Sequence, residues 1–310
     1  MDSMPAAVET MVSTGRQVPW HGLGVVVDDP TITTARAIEL AGLDWTVEKE
    51  QITRTTKGGL TVSVPNKFFN VRSSDEKVLG IVSGNFNNLQ NRDAFAFADN
   101  LVDSGEALVE TAGALRGGRV IFLTMRLPGQ LMVDGEDAHE MYLLFRMGHD
   151  GTMAIAAEIV TIRVVCMNTL IMASTSAKQR WSIIHTQKID GRLAEAREAL
   201  KLAYAYGEEF VELGNRMVAT KFSDDDLIKL LEDTLPNRPK TSERIESIID
   251  VFNNSETNPY HGTAWGAFNA ITEYYDHMRD TKSQEGVFTQ IMDGEISAIR
   301  KKAEKILLSI

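Results

Sequence analysis

The chain is predicted to be an α+β protein: an antiparallel, strand-rich first half with crossing helices, built on a β-β-β-α core, followed by an all-α C-terminal lobe. Three observations predict this. Between Trp45 and Val165, apolar residues alternate with a period of two or run in short β-branched stretches bounded by turn residues. From Asp190 onward the period changes to 3.6. Leu193 to Val218 is rich in Ala and Glu and holds no proline, the composition of one long helix.

Each element follows from local chemistry. Residues 1–30 are small and polar, with Pro19, Gly22 and Gly24, and read as an extended N-terminal arm in which Trp20 is the one large anchor. Thr33 or Thr34 caps a short helix through Leu40, closed by Gly42. Trp45 to Lys49 alternates as a strand, Gly58-Gly59 signals a hairpin turn, and Leu60 to Val64 returns in the same period. Phe68 to Val71 and Val78 to Val82 read as a second hairpin, and Asn91 caps a helix with Phe95, Phe97, Leu101 and Val102 on its apolar face. Arg119 to Arg126, Met141 to Arg146 and Met153 to Val165 complete the strands, the last two joined by a His149-Asp-Gly-Thr152 turn. Helices are expected at Leu193–Val218, Asp224–Leu235, Ser242–Phe252, Thr263–Met278 and Glu285–Leu308. The domains are therefore the arm (1–30), an α+β domain (31–189) and a helical domain (190–310).

Composition limits the function. A chain of 310 residues with 43% hydrophobic and 24% charged residues can bury a sizeable core. No apolar run reaches the length of a membrane span, and no signal-like segment follows the N-terminus, so the expected location is the cytoplasm of a bacterial host, with no membrane partner. The single cysteine excludes an internal disulfide. Net charge is −11, but residues 51–200 hold equal numbers of basic and acidic residues, so the excess acid lies outside that stretch. A neutral domain can still present a basic stripe.

Several clusters carry residue types that could support chemistry. Cys166 with His149 or His185, oriented by Asn168, has the residue types of a nucleophile and its base. Its position at the end of an apolar run favours a small buried hydrophobe instead. The six histidines are scattered with none paired at helical spacing, and the acidic loop Asp134, Glu136, Asp137 and Glu140 lacks the order of a calcium loop, so no metal and no cofactor are expected. Ala112-Gly-Ala-Leu-Arg-Gly-Gly118 is not a P-loop, because no Gly-Lys-Ser/Thr follows; it reads as a hairpin turn or a phosphate contact.

Five ordered motifs carry a resemblance over nearly the whole chain: Pro19-Trp-His-Gly-Leu-Gly24, Ala112-Gly-Ala-Leu-Arg-Gly-Gly118, His149-Asp-Gly151, Arg163-Val-Val-Cys-Met-Asn-Thr-Leu170 and Gly262-Thr-Ala-Trp-Gly266. In that order they resemble the phage/plasmid-like protein family, a domain of unknown function carried on prophages, actinophages and plasmids. The order helix, hairpin, third strand, crossing helix over Ala35 to Ser104 also resembles, in topology alone, the single-strand annealing recombinases of the Rad-fifty-two, Redβ/RecT and Erf group. That resemblance implies an oligomeric protein that pairs complementary strands without ATP.

From charge and placement, the DNA-binding candidates are Arg54, Lys57, Lys67, Arg72, Arg116, Arg119, Arg126, Arg163, Lys178 and Arg180, with Phe68, Phe69, Phe122 and Trp181 among them. The expected function is single-stranded DNA binding and annealing in recombination or replication. The expected partners are DNA, further copies of the chain, and a host or phage replication or recombination protein. The alternatives are a mobile-element protein that binds or inhibits a host factor, and an enzyme built on Cys166 and His149.

Overall fold

The computed structural model describes residues 12–13, 25–26, 32–153, 156–163, 169–170, 180–182, 189–279, 286, 290–291 and 294–310. The architecture is α+β, with antiparallel sheets in the N-terminal half and helices in the C-terminal half. The chain divides into two compact units. The first is made of Met1–Leu127, Leu143–Glu158 and Arg180–Leu200, the second of Pro128–Tyr142, Ile159–Gln179 and Lys201–Ile310.

In the first unit, helix α1 (Thr34–Leu40) starts where Thr33 Oγ1 accepts the Arg36 N–H at 3.3 Å, and Gly42 takes φ +64° just beyond its end. A three-stranded antiparallel sheet follows, ordered β3 (Val47–Thr55), β4 (Thr61–Arg72), β5 (Val78–Val82). Here the structure departs from expectation, since Leu60–Val64 and Phe68–Val71 belong to one continuous strand. Pro65 offers no N–H to a ladder, which argues for a break. The ladder instead absorbs it as an irregularity: Asn66 takes φ +53° and the register with β3 shifts between Gln51 and Thr53. The Gln51 side-chain amide fills the gap, donating to the carbonyls of Val64 (2.9 Å) and Lys67 (3.1 Å).

The expected helix from Asn91 is three short pieces: α2 (Asn91–Phe95), a 3₁₀ turn (Ala96–Ala98) and α3 (Asp99–Asp103). Asp99 Oδ1 accepts the Thr34 N–H at 2.8 Å and ties α3 to the start of α1. Strand β6 (Leu108–Leu115) was not anticipated, because Ala112-Gly-Ala114 lacks the β-branched residues that mark a strand. It pairs with β7 (Val120–Arg126) and with β1 (Val12–Ser13), which runs parallel to β2 (Val25–Val26). Past β7 come the C-terminal part of β9 (Asp137–Gly148), the start of β10 (Ala156–Arg163) and β12 (Arg180–Ser182). Phe95, Leu101, Ile121, Phe122 and Phe145 are fully buried in this unit, and α1 and α3 lie against β6.

In the second unit, β8 (Leu131–Val133) and the start of β9 form a hairpin whose Asp134 and Gly135 take φ +54° and +72°, the primed-turn geometry that Asp-Gly favours. The end of β10 pairs with β11 (Thr169–Leu170). Helix α4 (Ile189–Ala219) brings Gly207 and Gly214, seven residues apart and so on one face, directly against this hairpin. A Cβ at Gly207 would stand 3.0 Å from Leu131 and Met141, and one at Gly214 would stand 2.7 Å from Val133. Helix α5 (Asp224–Thr234) opens with a Ser223/Asp226 capping box. Then come α6 (Thr241–Asn254), α7 (Ala264–Glu273) running into a π turn (Tyr274–Met278), and α8 (Glu295–Leu307). Among the described residues no helix is long and apolar enough to cross a membrane.

Candidate nucleic-acid interface

Strand β5 pairs only with the Phe68–Val71 part of β4. The rest of the β3–β4 pair, residues 51–67, therefore continues beyond the sheet as a two-stranded ribbon. Its register is Thr53↔Ser63, Arg54↔Val62 and Thr55↔Thr61. Strand alternation gives the two faces different chemistry. One carries Ile52, Arg54, Val62 and Val64; the other carries only hydroxyls, at Thr53, Thr55, Thr61 and Ser63, all exposed. From Gln51 to Arg72 the chain has four basic residues, Arg54, Lys57, Lys67 and Arg72, and no acidic one. Arg54, Lys57 and Lys67 are exposed, and none of them is paired with a carboxylate among the described residues.

The root of this ribbon is clamped by the β9–β10 turn. His149 is buried; its N–H donates to the Arg119 carbonyl (2.7 Å) and its carbonyl accepts from Asn70 Nδ2 (2.7 Å) on the central strand β4. Its ring nitrogen Nε2 stands 2.7 Å from Asn91 Oδ1, while Asn91 Nδ2 donates to the Leu43 carbonyl at 2.7 Å. Because Asn91 thereby turns its oxygen toward the ring, Nε2 holds the proton and donates it. Burial pushes the His149 imidazole down to about 4, with the nearby Asp150 charge opposing, so the ring is neutral at pH 7. The ring tilts against Trp45 at 5.2 Å, and the Arg72 guanidinium covers Trp45 at 5.4 Å. A bidentate pair with Asp75 (2.8 and 2.6 Å) holds Arg72 in place and draws the Asp75 carboxyl down to about 2. The turn also needs Gly80 on β5, where a Cβ would stand 2.5 Å from the Asp150 Cα.

The candidate cations thus divide into groups. Arg54, Lys57 and Lys67 share the ribbon. Arg72 is buried and committed to Asp75 and Trp45 at its root. Arg116 and Arg119 are exposed in the β6–β7 turn, where Arg116, Gly117 and Gly118 all take positive φ and the Lys77 ammonium lies against Gly117. Arg126 lies 3.5 Å from Glu110. Arg163 ends β10 and Arg180 begins β12, while Lys178, Cys166, Asn168 and His185 lie outside the described residues. Of the aromatics, Phe122 is core, Phe68 and Phe69 are half-buried in the sheet proper, and Trp181 lies in β12, paired with Ala157 of β10.

The second unit holds a buried polar set that the sequence reading missed. Trp265 Nε1 donates to Asp137 Oδ2 at 2.8 Å, and His139 Nε2 stands 3.4 Å from the same oxygen. Phe210 and Trp265 enclose the His139 ring at 5.0 and 5.7 Å. One and two turns along α7, Asn269 and Thr272 are also fully buried, and in the π turn Asp276 is paired with Arg300 of α8, which also donates to the Thr272 carbonyl (3.2 Å). The signal was the spacing Trp265, Asn269, Thr272, Asp276, which places all four on one helical stripe. Asp137, expected in an acidic loop, instead begins β9 and is buried.

Gly262-Thr-Ala-Trp-Gly266 is explained by packing. Gly262 takes φ +72° and its carbonyl accepts from Phe222 (2.9 Å); Thr263 caps α7 by accepting from Gly266 (3.0 Å). Gly266 lies so close to the Tyr260 carbonyl that no side chain fits there. Among the described residues no group of three or more His, Cys, Asp or Glu could hold a metal ion.

A family described as a domain of unknown function (DUF932) matches residues 78–296, well over half of the chain. The match runs from the start of β5 into α8 and leaves the ribbon outside it. No curated protein and no solved structure matches the chain.

Proposed function

The chain belongs to this family of unknown function, and on that premise we propose that it is a single-stranded-DNA-binding protein of a phage or plasmid, holding and annealing strands in recombination or replication without ATP. One observation carries the reading: the acid-free ribbon of residues 51–67, which exposes Arg54, Lys57 and Lys67 with no carboxylate partner among the described residues. In a protein of net charge −11, a cationic projection of this kind concentrates attraction for a polyanion at one place. The exposed hydroxyl face adds donors suited to phosphate oxygens. The order α1, β3, β4, β5, α2 supports the likeness to the annealing recombinases, whose assembly into homo-oligomers would set several ribbons along one strand.

The test is fluorescence anisotropy of a labelled single-stranded oligonucleotide at several salt concentrations, followed by addition of its complement. The wild type binds with a steep salt dependence and accelerates pairing. Arg54→Ala/Lys57→Ala/Lys67→Ala lowers the log–log salt slope by about 2, roughly 0.7 for each phosphate no longer neutralised. Absence of binding at low salt overturns the proposal and turns attention to a host protein partner.

A further inference from the structure

We infer that Leu60, at the tip of the ribbon, inserts between adjacent bases of the bound strand and unstacks them. This rests on the nucleic-acid reading above and assigns that surface its wedge.

Leu60 is 66% exposed, although it terminates a well-ordered turn. The turn is held by Thr56 from both ends. Its N–H donates to the Leu60 carbonyl at 2.8 Å, its hydroxyl accepts the Leu60 N–H at 3.1 Å, and its carbonyl accepts from Gly59 at 3.0 Å. Gly59 takes φ +82°, and a Cβ there would meet nothing within 4 Å, so the tip is open on that side. The leucine is therefore presented outward by a fixed backbone, with Lys57 across the turn and Arg54 on the strand behind it. What sets this leucine apart is its place: it stands at the tip of the ribbon, beside the exposed cations Arg54 and Lys57.

The partner must accept cations and hydroxyls along the sides of a narrow projection and an apolar group at its end. A nucleic acid has this layout, with charged phosphates outside and apolar base faces stacked within. Proteins that insert an apolar wedge between base steps use the same division of labour. A lipid surface would also take basic residues and an apolar tip, but one leucine is a small anchor for a bilayer, and the polar hydroxyl face would have to stay outside it.

The experiment uses the full chain and a single-stranded oligonucleotide carrying 2-aminopurine between two purines, whose fluorescence rises when the base is unstacked. Wild-type protein at saturation raises the signal about twofold or more. Leu60→Ala, a change at an exposed position, keeps the same salt slope and binds within about tenfold of wild type, but loses most of the fluorescence rise. An equal rise with Leu60→Ala overturns the wedge while leaving DNA binding intact. Unchanged binding by Arg54→Ala/Lys57→Ala/Lys67→Ala would instead sink the underlying reading of the ribbon. Loss of binding by Leu60→Ala to phosphatidylserine-containing vesicles, with no change on DNA, assigns the tip to a membrane and likewise overturns the inference.

Discussion

His149 Nε2 donates to Asn91 Oδ1 at 2.7 Å inside the first unit, and Asn91 is itself held by the Leu43 carbonyl. His149 also reaches the central strand of the three-stranded sheet through its backbone, since its carbonyl accepts from Asn70 Nδ2. One turn residue thereby fastens the sheet from which the ribbon extends. A two-stranded ribbon has little stability of its own in water, so its root determines whether it holds a fixed direction.

A buried neutral histidine makes stability depend on pH. The imidazole is lowered in the folded chain to about 4 from an ordinary 6.5, so the unfolded chain takes up the proton first as pH falls. The stabilisation is complete above pH 6.5 and is lost progressively as pH falls toward 4, to a total of about 3 kcal/mol. Urea unfolding across this range should show the loss, and His149→Gln should flatten it. A wild-type profile with no fall between pH 6.5 and 4 would contradict the buried neutral assignment.

Gly80 and Gly59 separate crowding from backbone strain. Gly80→Ala drives a methyl into the Asp150 backbone and should cost about 2–3 kcal/mol, loosening the ribbon root. Gly59→Ala has open space but a positive φ and should cost about 1 kcal/mol. Thermal unfolding of the two variants tests the order; a costlier Gly59 variant would mean the turn does not approach β5 as described.

In the second unit, Trp265→Phe retains most of the ring packing but removes the N–H that Asp137 accepts. A buried carboxylate that loses a donor should cost about 2–3 kcal/mol. Trp265→Phe combined with Asp137→Ala should cost less than the sum of the two single changes, measured as a double-mutant cycle. Additive effects would show that the hydrogen bond contributes nothing.

Arg300 and Asp276 form a buried ion pair, with both side chains almost fully enclosed. Arg300→Met leaves a buried carboxylate without this partner and should cost about 3–5 kcal/mol, whereas Arg300→Met/Asp276→Leu should recover most of it. Chemical denaturation of the three proteins is the measurement, and a double variant no better than the single would refute the pairing.

Asn269 gives a prediction of the opposite sign. It is fully buried, and neither its side-chain oxygen nor its nitrogen has a hydrogen-bond partner among the described residues. Asn269→Leu should therefore raise stability by about 1–2 kcal/mol. A loss of stability would show that the amide is satisfied by a group it needs.

Local signals carried most of the elements. Thr33, Ser223 and Thr263 mark helix starts through side-chain oxygens, and Gly59 and Asp134-Gly135 mark turns through positive φ, so each is legible from a few neighbouring residues. Strand β6 escaped because its small residues carry no propensity of their own; they are buried against partners that lie elsewhere in the chain. The candidate cations were legible as residues, and their grouping was not. Arg54 and Arg72 look alike in the sequence, but one stands in solvent and the other is spent on Asp75 and Trp45.

By itself the sequence determined the fold class, the change from strands to helices along the chain, several of the turns and caps, and the acid-free stretch from Gln51 to Arg72, because all of these follow from periodicity, local backbone preference and composition. Only the tertiary structure decided that β5 stops short and leaves a ribbon free, that the His149 turn clamps its root, and that Asp137 and Trp265 meet across 128 positions. Burial and long-range pairing belong to the assembled chain: no residue carries a mark saying which distant neighbour will exclude water from it.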